Sequence, residues 1–287
     1  MNICAVVLDH RGAHRTEACL LSLASEGLHT VLVVDNSADA KASEQLADSI
    51  ARVISSKTNY ALHVLKPGSN LGFAGGVNFA LNHQAGQDCE AILLLNNDAS
   101  IAPGSISKMS DALAAGLAAL IAPTIMNDQG AIQPMMWYQR FFGLQTDHPL
   151  PGAFPYLSGC CILFRRSLHD SRKLFDEDFF MYGEDTLLGW EMARKRKPIL
   201  QIADAVVRHT GQDPEQKCTL FYEYHMTRAH ILLALKTRRT VLEIPVLLVA
   251  KSAALFVRAL RRCIRYRSSI PLLAFALAWS PVNIRKV

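Results

Sequence analysis

Four short apolar runs in the first hundred residues constrain the fold more than any other feature of this chain. Ile3–Leu8, Thr30–Val34, Ala61–Leu65 and Ala91–Leu95 are of strand length, and stretches of helical pattern lie between them at Thr16–Ala24, Ser43–Ile54 and Gly75–Gln84. This alternation predicts βα units and a parallel sheet, since parallel neighbours need a crossover connection that a helix supplies. A run that is apolar throughout, as Ala91–Leu95 is, reads as an interior strand covered on both faces.

Open α/β sheets bind ligands at the carboxyl ends of their strands, so the polar residues that close these runs are candidates for chemistry. Thr30–Val34 ends in Asp35-Asn36-Ser37, and Ala91–Leu95 ends in Asn96-Asn97-Asp98. At such a position Asp35 can accept hydrogen bonds from a nucleobase imide or a ribose hydroxyl, and Asp98 stands where a metal-bound phosphate fits. Each acid also suits a loop or helix cap, and the residues alone leave both readings open.

Three later segments carry further candidates. Asn70-Leu71-Gly72-Phe73-Ala74-Gly75-Gly76-Val77-Asn78 is glycine-rich and opens a helix, so its backbone can come close to a phosphate or a polar ring. Phe179-Phe180-Met181-Tyr182-Gly183-Glu184-Asp185 sets two carboxylates after an aromatic cluster at a predicted helix start, a setting for a cap or for a general base shaped by partial desolvation. Asp176, Glu177 and Asp178, just upstream, read as solvated. Val206-Val207-Arg208-His209 places a histidine directly after a strand, where a neutral imidazole is compatible with Mn²⁺ or Mg²⁺ beside oxygen ligands.

The middle of the chain is less regular. A helix at Ser105–Ala115 and a strand at Ala118–Ala122 precede an irregular stretch, Met135–Pro155, whose Trp137, Tyr138, Phe141 and Phe142 favour a functional loop. A strand at Cys160–Phe164, a helix at Asp185–Lys195 and a strand at Ile199–Val207 follow. Beyond Leu220 the pattern turns helical, with apolar runs at Leu232–Leu235, Ile244–Val257 and Ile270–Trp279. The net charge is only +5, yet Lys236, Arg238, Arg239, Lys251, Arg258, Arg261, Arg262, Arg265 and Arg267 face only Glu243 in this region. Such basic, apolar helices fit a membrane surface, with arginines for anionic head groups, or an ordinary helical subdomain packed on the core. Seven scattered cysteines without a C-x-x-C pair argue for reduced thiols and against a zinc site. No secretory signal pattern opens the chain.

Taken in order, Asp35, the Asn70–Asn78 loop, Leu95-Asn96-Asn97-Asp98, Ser158-Gly159-Cys160-Cys161-Ile162-Leu163-Phe164-Arg165-Arg166, Phe179–Asp185 and His209-x-Gly211 resemble the glycosyltransferase family 2 enzymes, in particular their rhamnosyltransferase-like branch. The resemblance covers residues 1–235. It implies a GT-A fold: a mostly parallel nucleotide-sugar-binding sheet flanked by helices over residues 1–103 and an acceptor half over 104–235, to which the basic, apolar composition of residues 236–287 adds a membrane-associating helical tail. It further implies that Asp35 binds base or ribose, that Asn70, Gly72, Phe73, Gly75, Asn78, Asn96 and Asn97 line the nucleotide sugar, and that Asp98 and His209 hold Mn²⁺ or Mg²⁺. Asp185 is similar to the family's catalytic base and Glu184 to its acidic neighbour.

Two departures from the family pattern stand out. The first strand ends in Asp9-His10-Arg11 where the family more often has an aromatic residue followed by Asn, and Asn96 replaces the first acid of D-x-D. No Gln-x-x-Arg-Trp sequence of processive synthases occurs, so a single-sugar transfer is expected. The reading is an inverting, metal-dependent transfer from a nucleoside-diphosphate sugar, first of all dTDP-L-rhamnose, to a saccharide acceptor linked to polyprenyl diphosphate. It places the protein on the cytoplasmic face of the cell membrane, with no nucleic-acid partner. A nucleotidyltransferase, or an inactive nucleotide-sugar-binding protein attached to the membrane, are the alternatives.

Overall fold

A computed structural model describes residues 1–56, 58–168, 173–210, 218–280 and 284. Its first hundred residues form β1 (Ile3–Asp9), α1 (Ala13–Ser22), β2 (Thr30–Asp35), α2 (Ala40–Ser55), β3 (Ala61–Leu65), α3 (Gly72–Leu81) and β4 (Ala91–Asn96). The four strands are mutually parallel where they pair, in the order β3-β2-β1-β4, as the alternation predicts.

Burial explains the continuous apolar runs. Ala5, Val7, Val31, Val33, Leu93 and Leu95 face α1 and α2, whereas Cys4, Val6, Leu32, Val34, Ile92 and Leu94 face α3. A strand sandwiched between helices has no solvent side, so its side chains need not alternate in polarity. β3, at the edge, is mostly exposed and keeps one buried residue, Leu65.

The sheet continues through β11 (Cys161–Arg165), β6 (Leu120–Met126), β12 (Ile199–His209) and β5 (Ala99–Ile101), with β7 (Ile132–Gln133) beside β6. β11 runs antiparallel to both β4 and β6, and β5 runs antiparallel to β12, so the complete sheet is mixed. α4 (Ser105–Ala114) covers the face shared with α1 and α2.

The stretch at Met135–Pro155 is not irregular. β8 (Met136–Gln139), β9 (Gln145–Thr146) and β10 (Ala153–Tyr156) make a small antiparallel sheet in the order β10-β8-β9. Pro155 sits in an edge strand, where its missing N–H costs no ladder bond. This sheet packs Tyr138, Phe154 and Tyr156 against Leu187 and Trp190 of α5 (Glu184–Arg194) and against Ala229, Leu232 and Leu233 of α6 (Leu220–Lys236).

Two more helices, α7 (Ile244–Tyr266) and α8 (Ile270–Ala278), close the described chain. The apolar run at Leu232–Leu235 is the end of the longer α6, and α7 extends nine residues beyond Val257 through its arginines. Tyr224 and Ile231 of α6 pack with Leu255, Ala274 and Ala278. Glu223, fully buried, accepts hydrogen bonds from Arg258, at 2.8 Å, and from Arg262. The tail therefore buries one stripe of α7, Leu247, Lys251, Leu255 and Ala259, at helical four-residue spacing. Its other face leaves Val246, Val249, Phe256, Val257, Leu260 and Ile264 exposed. Among the described residues no helix is long and apolar enough to cross a membrane.

Candidate active site

The register of the parallel strands brings the polar strand ends to one edge. Asp9 pairs with Asp35, and Leu8 with Asn96. β1 is the strand from which the order runs in opposite directions to β2 and β4, which is where α/β sheets open a crevice.

Asp35 is not a helix cap. Asp39 caps α2 by accepting the Ala42 N–H at 2.9 Å, while Asp35 is buried and accepts from the Ser37 amide, the Ser37 hydroxyl at 2.6 Å and the Ser43 hydroxyl. Burial works against its charge, but these hydrogen bonds outweigh it and leave the carboxyl below its ordinary range. Asp9 is also buried. It accepts from Thr16 Oγ1 at 2.5 Å and from the Asn97 amide at 3.4 Å, so the acid found in place of the family's usual residue ties β1 to α1 and to the end of β4.

The glycine-rich segment is helical from Gly72, three residues earlier than its pattern predicts, and Gly72 enters the helix with a φ of +71° that a side chain rarely accepts. A Cβ there would collide with the Phe180 carbonyl, to which the Phe73 N–H donates at 2.8 Å. Asn36, which sequence reading did not single out, holds the same turn: its Oδ1 accepts the Leu71 N–H and its Nδ2 donates to the Gly72 carbonyl. Its place directly after Asp35 was the available signal. Asn70 contacts His10 at 3.1 Å and accepts the Gly72 N–H. The Gly75 position faces Leu71 on its own helix. Asn78 points away from this edge: its amide holds Leu174, Phe175 and Glu177.

At the end of β4, Asn96 donates its backbone N–H to the Cys160 carbonyl, and its side-chain oxygen is one of three buried polar atoms without a partner among the described residues. Asn97 donates to Thr16 at 3.0 Å. Asp98 meets His209, Nε2 to Oδ1 at 3.0 Å, because β5 and β12 pair antiparallel with His209 opposite Ala99. Burial disfavours the charge on each, yet their mutual hydrogen bond and attraction prevail: the Asp98 carboxyl is lowered and the His209 imidazolium is raised to about 10. Gly211 of the His209-x-Gly211 motif lies outside the described residues.

Asp98 and His209 suit Mn²⁺ or Mg²⁺ bound with substrate phosphates, since such ions take one or two protein carboxylates and complete their shell from phosphate and water. A bound cation would replace the proton that the two side chains now share. No cluster of three or more such ligands occurs among the described residues, so phosphate oxygens would have to supply most of the shell.

The two consecutive acids enter α5 through a strained turn. Tyr182 and Gly183 have φ values of +67° and +87°, and a Cβ on Gly183 would press on Ala229 and the Phe179 ring at 3.0 Å. Gly183 is the cap position, so neither acid caps the helix with its side chain. Asp185 Oδ2 accepts the Gly159 N–H at 3.1 Å, and Oδ1 accepts the Thr186 N–H at 2.6 Å. Burial raises its pKa, as it raises that of Glu184, which reaches about 8 with Asp185 beside it and leaves Oε2 without a hydrogen bond. Glu177 and Asp178 are exposed, as expected, and Asp176 is half-buried; the two aspartates pair with Lys236 at 2.5 and 2.6 Å, and Glu177 takes Lys173 and Asn78.

One dipeptide joins the two acidic centres. Gly159 donates to Asp185, and the carbonyl of the adjoining Cys160 accepts the Asn96 N–H at 2.8 Å, at the start of the turn that carries Asp98. Phe73 packs over the same point: a Cβ on Gly159 would stand 3.4 Å from its ring and 3.6 Å from Asp185 Cβ. Glu184 and Asp185 also line a cleft of about 140 Å³ with Tyr156, Tyr182, Met226 and His230. The arrangement offers a buried carboxylate on one side, a carboxylate–imidazole pair on the other, and an aromatic-walled space beside the first carboxylate.

Residues 6–172 match the model of Glycosyl transferase family 2. The chain is 27% identical over 230 residues, 68% of its length and 72% of the relative's, to the N-acetylglucosaminyl-diphospho-decaprenol L-rhamnosyltransferase of Mycobacterium tuberculosis. Among solved structures, the mannosyltransferase PcManGT from Pyrobaculum calidifontis in complex with GDP-Man and Mn²⁺ superposes with a TM-score of 0.61 at 14% identity, over 96% of this chain and 85% of that one. S. aureus TarS 1-349 in complex with UDP-GlcNAc gives 0.59 at 16% identity, over 98% and 82%. The GT-A fold implied by the sequence motifs is the fold of the molecule.

Proposed function

From the premise that this chain belongs to glycosyl transferase family 2, and so is a glycosyltransferase, we propose an inverting, metal-dependent transfer of one sugar from a nucleoside-diphosphate donor to a polyprenyl-diphosphate-linked saccharide. The observation that carries the reading is the Gly159-Cys160 step, which holds Asp185 through the Gly159 N–H and the Asn96-Asn97-Asp98 turn through the Cys160 carbonyl, with Asp98 meeting His209. Such a spacing of functions suits a reaction in which an acceptor oxygen gains a bond as a diphosphate leaves.

In this reading Asp35 and the Asn36-held turn at Gly72 receive the nucleotide, and Asp98 with His209 holds Mn²⁺ or Mg²⁺. A divalent ion there supplies Lewis-acid neutralisation of the leaving diphosphate. Asp185 accepts the proton of the acceptor hydroxyl as that oxygen attacks the anomeric carbon from the face opposite the diphosphate. Gly159 and Thr186 aim its two oxygens, and the raised pKa makes it a stronger base than an ordinary carboxylate.

Donor and acceptor are assigned by similarity to the M. tuberculosis relative, whose name specifies an L-rhamnosyl transfer to N-acetylglucosaminyl-diphospho-decaprenol. dTDP-L-rhamnose is accordingly the first donor. The exposed apolar face of α7, flanked by Arg261, Arg265 and Arg267, supports contact with an anionic membrane surface where a lipid-linked acceptor resides. A panel of nucleotide sugars, with and without Mn²⁺, tests the reading. Release of nucleoside diphosphate from dTDP-L-rhamnose in the presence of acceptor is expected; release of pyrophosphate from a nucleoside triphosphate and sugar phosphate would assign a nucleotidyltransferase instead.

A further inference from the structure

The cleft beside Asp185 is backed by a buried cation that the proposed reaction does not use. Lys251 of α7 is fully buried, and no carboxylate lies within ion-pair distance of it among the described residues. Its Nζ donates to Tyr138 Oη at 2.7 Å and stands 4.6 Å from the centre of that ring. The neighbouring Arg140 is already paired with Glu243 and only repels it. Replacing a buried charge with an apolar side chain of similar volume is often neutral or stabilising, so stability alone gives no reason for a lysine here.

The hydrogen bonds give it another role. Below pH 7, where Lys251 carries its proton, the ammonium group only donates, so the Tyr138 oxygen accepts from it and turns its own proton elsewhere. That proton meets His230 Nδ1, 2.8 Å away, with the two rings stacked 18° from parallel. Burial, with Lys251 and Arg258 nearby, lowers the His230 pKa to about 3, so the ring is neutral. With Nδ1 accepting, its single proton lies on Nε2. Gly143 seals the Nδ1 edge, since a Cβ there would lie 2.8 Å from Nδ1. Nε2 makes no hydrogen bond to the described protein and is not among its sealed, unpartnered atoms, while His230 lines the same cleft as Asp185.

We infer that His230 is a specificity-determining residue that donates its Nε2–H to an oxygen of the acceptor sugar, and that Tyr138 and Lys251 are positioning residues that set its tautomer. This rests on the glycosyltransferase reading of the cleft. The donor is polarised in advance: a fixed N–H aimed into the cleft selects an acceptor with an oxygen at that point and leaves an unpaired group against one without it.

The test is steady-state kinetics just below neutral pH, with dTDP-L-rhamnose at saturation and a short-chain polyprenyl-diphosphate N-acetylglucosamine varied. His230→Ala is expected to raise the acceptor KM roughly three- to tenfold, the loss of one hydrogen bond, with the donor KM unchanged. His230→Gln, whose amide nitrogen reaches toward the Nε2 position, should restore most of it, and His230→Asn should not. Lys251→Met and Tyr138→Phe should raise the same KM and add nothing on the His230→Ala background. An unchanged acceptor KM, equal behaviour of Gln and Asn, or additive effects would overturn the inference. Absence of wild-type turnover would count against the functional reading instead; ¹⁵N–¹H correlation of the His230 ring then decides the tautomer, with a proton on Nε2 expected in the wild type and a proton on Nδ1 refuting the relay.

Discussion

Asp98 and His209 stand 111 residues apart in the chain and meet at 3.0 Å, because the three-residue strand β5 pairs antiparallel with the end of β12. The short strand turns the end of β4 back across the sheet edge and delivers a carboxylate to an imidazole. If this pair holds the cation that steadies a leaving diphosphate, Asp98→Ala and His209→Ala should each remove the Mn²⁺-dependent part of donor stabilisation. In the wild type, donor at a hundred times its dissociation constant adds ~2.7 kcal/mol to stability, which a thermal melt with and without Mn²⁺ reads directly. Retention of the full Mn²⁺ effect in both variants would show that the ion binds elsewhere.

Asp185→Asn should preserve donor binding and slow turnover by ~10²–10⁴, the usual contribution of a general base. The amide keeps its oxygen toward one of the Gly159 and Thr186 N–H groups and turns its NH2 toward the other, so a stability loss of about 1–3 kcal/mol accompanies the slower turnover while donor binding is retained. Unaltered kcat would remove Asp185 from the mechanism.

Glu184 behaves differently because burial, with Asp185 beside it, holds its proton up to about pH 8. Glu184→Gln, which mimics the protonated acid, should therefore remain active near neutral pH. The wild-type rate profile should bend near pH 8, as a second negative charge appears beside Asp185, and the variant profile should lack that bend. A Gln variant as impaired at neutral pH as Asp185→Asn would mean that Glu184 works as an ion.

On α7, Phe256 is 45% exposed and Ile264 is 79% exposed, so both can be altered without opening the core. Phe256→Asp and Ile264→Asp should lower co-sedimentation with anionic vesicles by more than tenfold when combined, since each large apolar group is worth roughly 1.5–3 kcal/mol on transfer from water. This double variant is a better probe than truncation at Lys236, which would strip Arg258 and Arg262 from buried Glu223. Undiminished sedimentation would exclude this face as the membrane contact.

Lys251 has a signature in stability as well as in kinetics. Burial lowers its pKa from 10.5 to about 7, so between those values the unfolded chain carries a proton that the folded chain has released. Folding stability from this group then rises with pH across that window, is lost progressively as pH falls from 10.5 toward 7, and does not change below it. Urea unfolding of Lys251→Met should show a flatter pH dependence over the same range, and an identical slope would mean that Lys251 is charged throughout.

The apolar runs at Ile3–Leu8, Thr30–Val34 and Ala91–Leu95 determined their strands and their burial on two faces, because a strand covered by helices on both sides is apolar at nearly every position, whereas Ala61–Leu65 forms a mostly exposed edge strand. The polar residues ending Thr30–Val34 and Ala91–Leu95, and the acids before α5, were legible for the same local reason: an apolar run that stops marks where the chain leaves the core. What each of these polar groups does was decided by its hydrogen-bond partners, near in sequence for Asp35 and distant for the others. Asp35 is freed from capping by Asp39 and held by Ser43, Asn78 is drawn off by the loop at residues 174–177, and Arg258 and Arg262 are committed inward by Glu223. The strands hidden in Met135–Pro155, the tautomer of His230 and the meeting of Asp98 with His209 depend on register between distant segments. A side chain's chemistry is set by its contacts, and those contacts exist only after the sheet has closed.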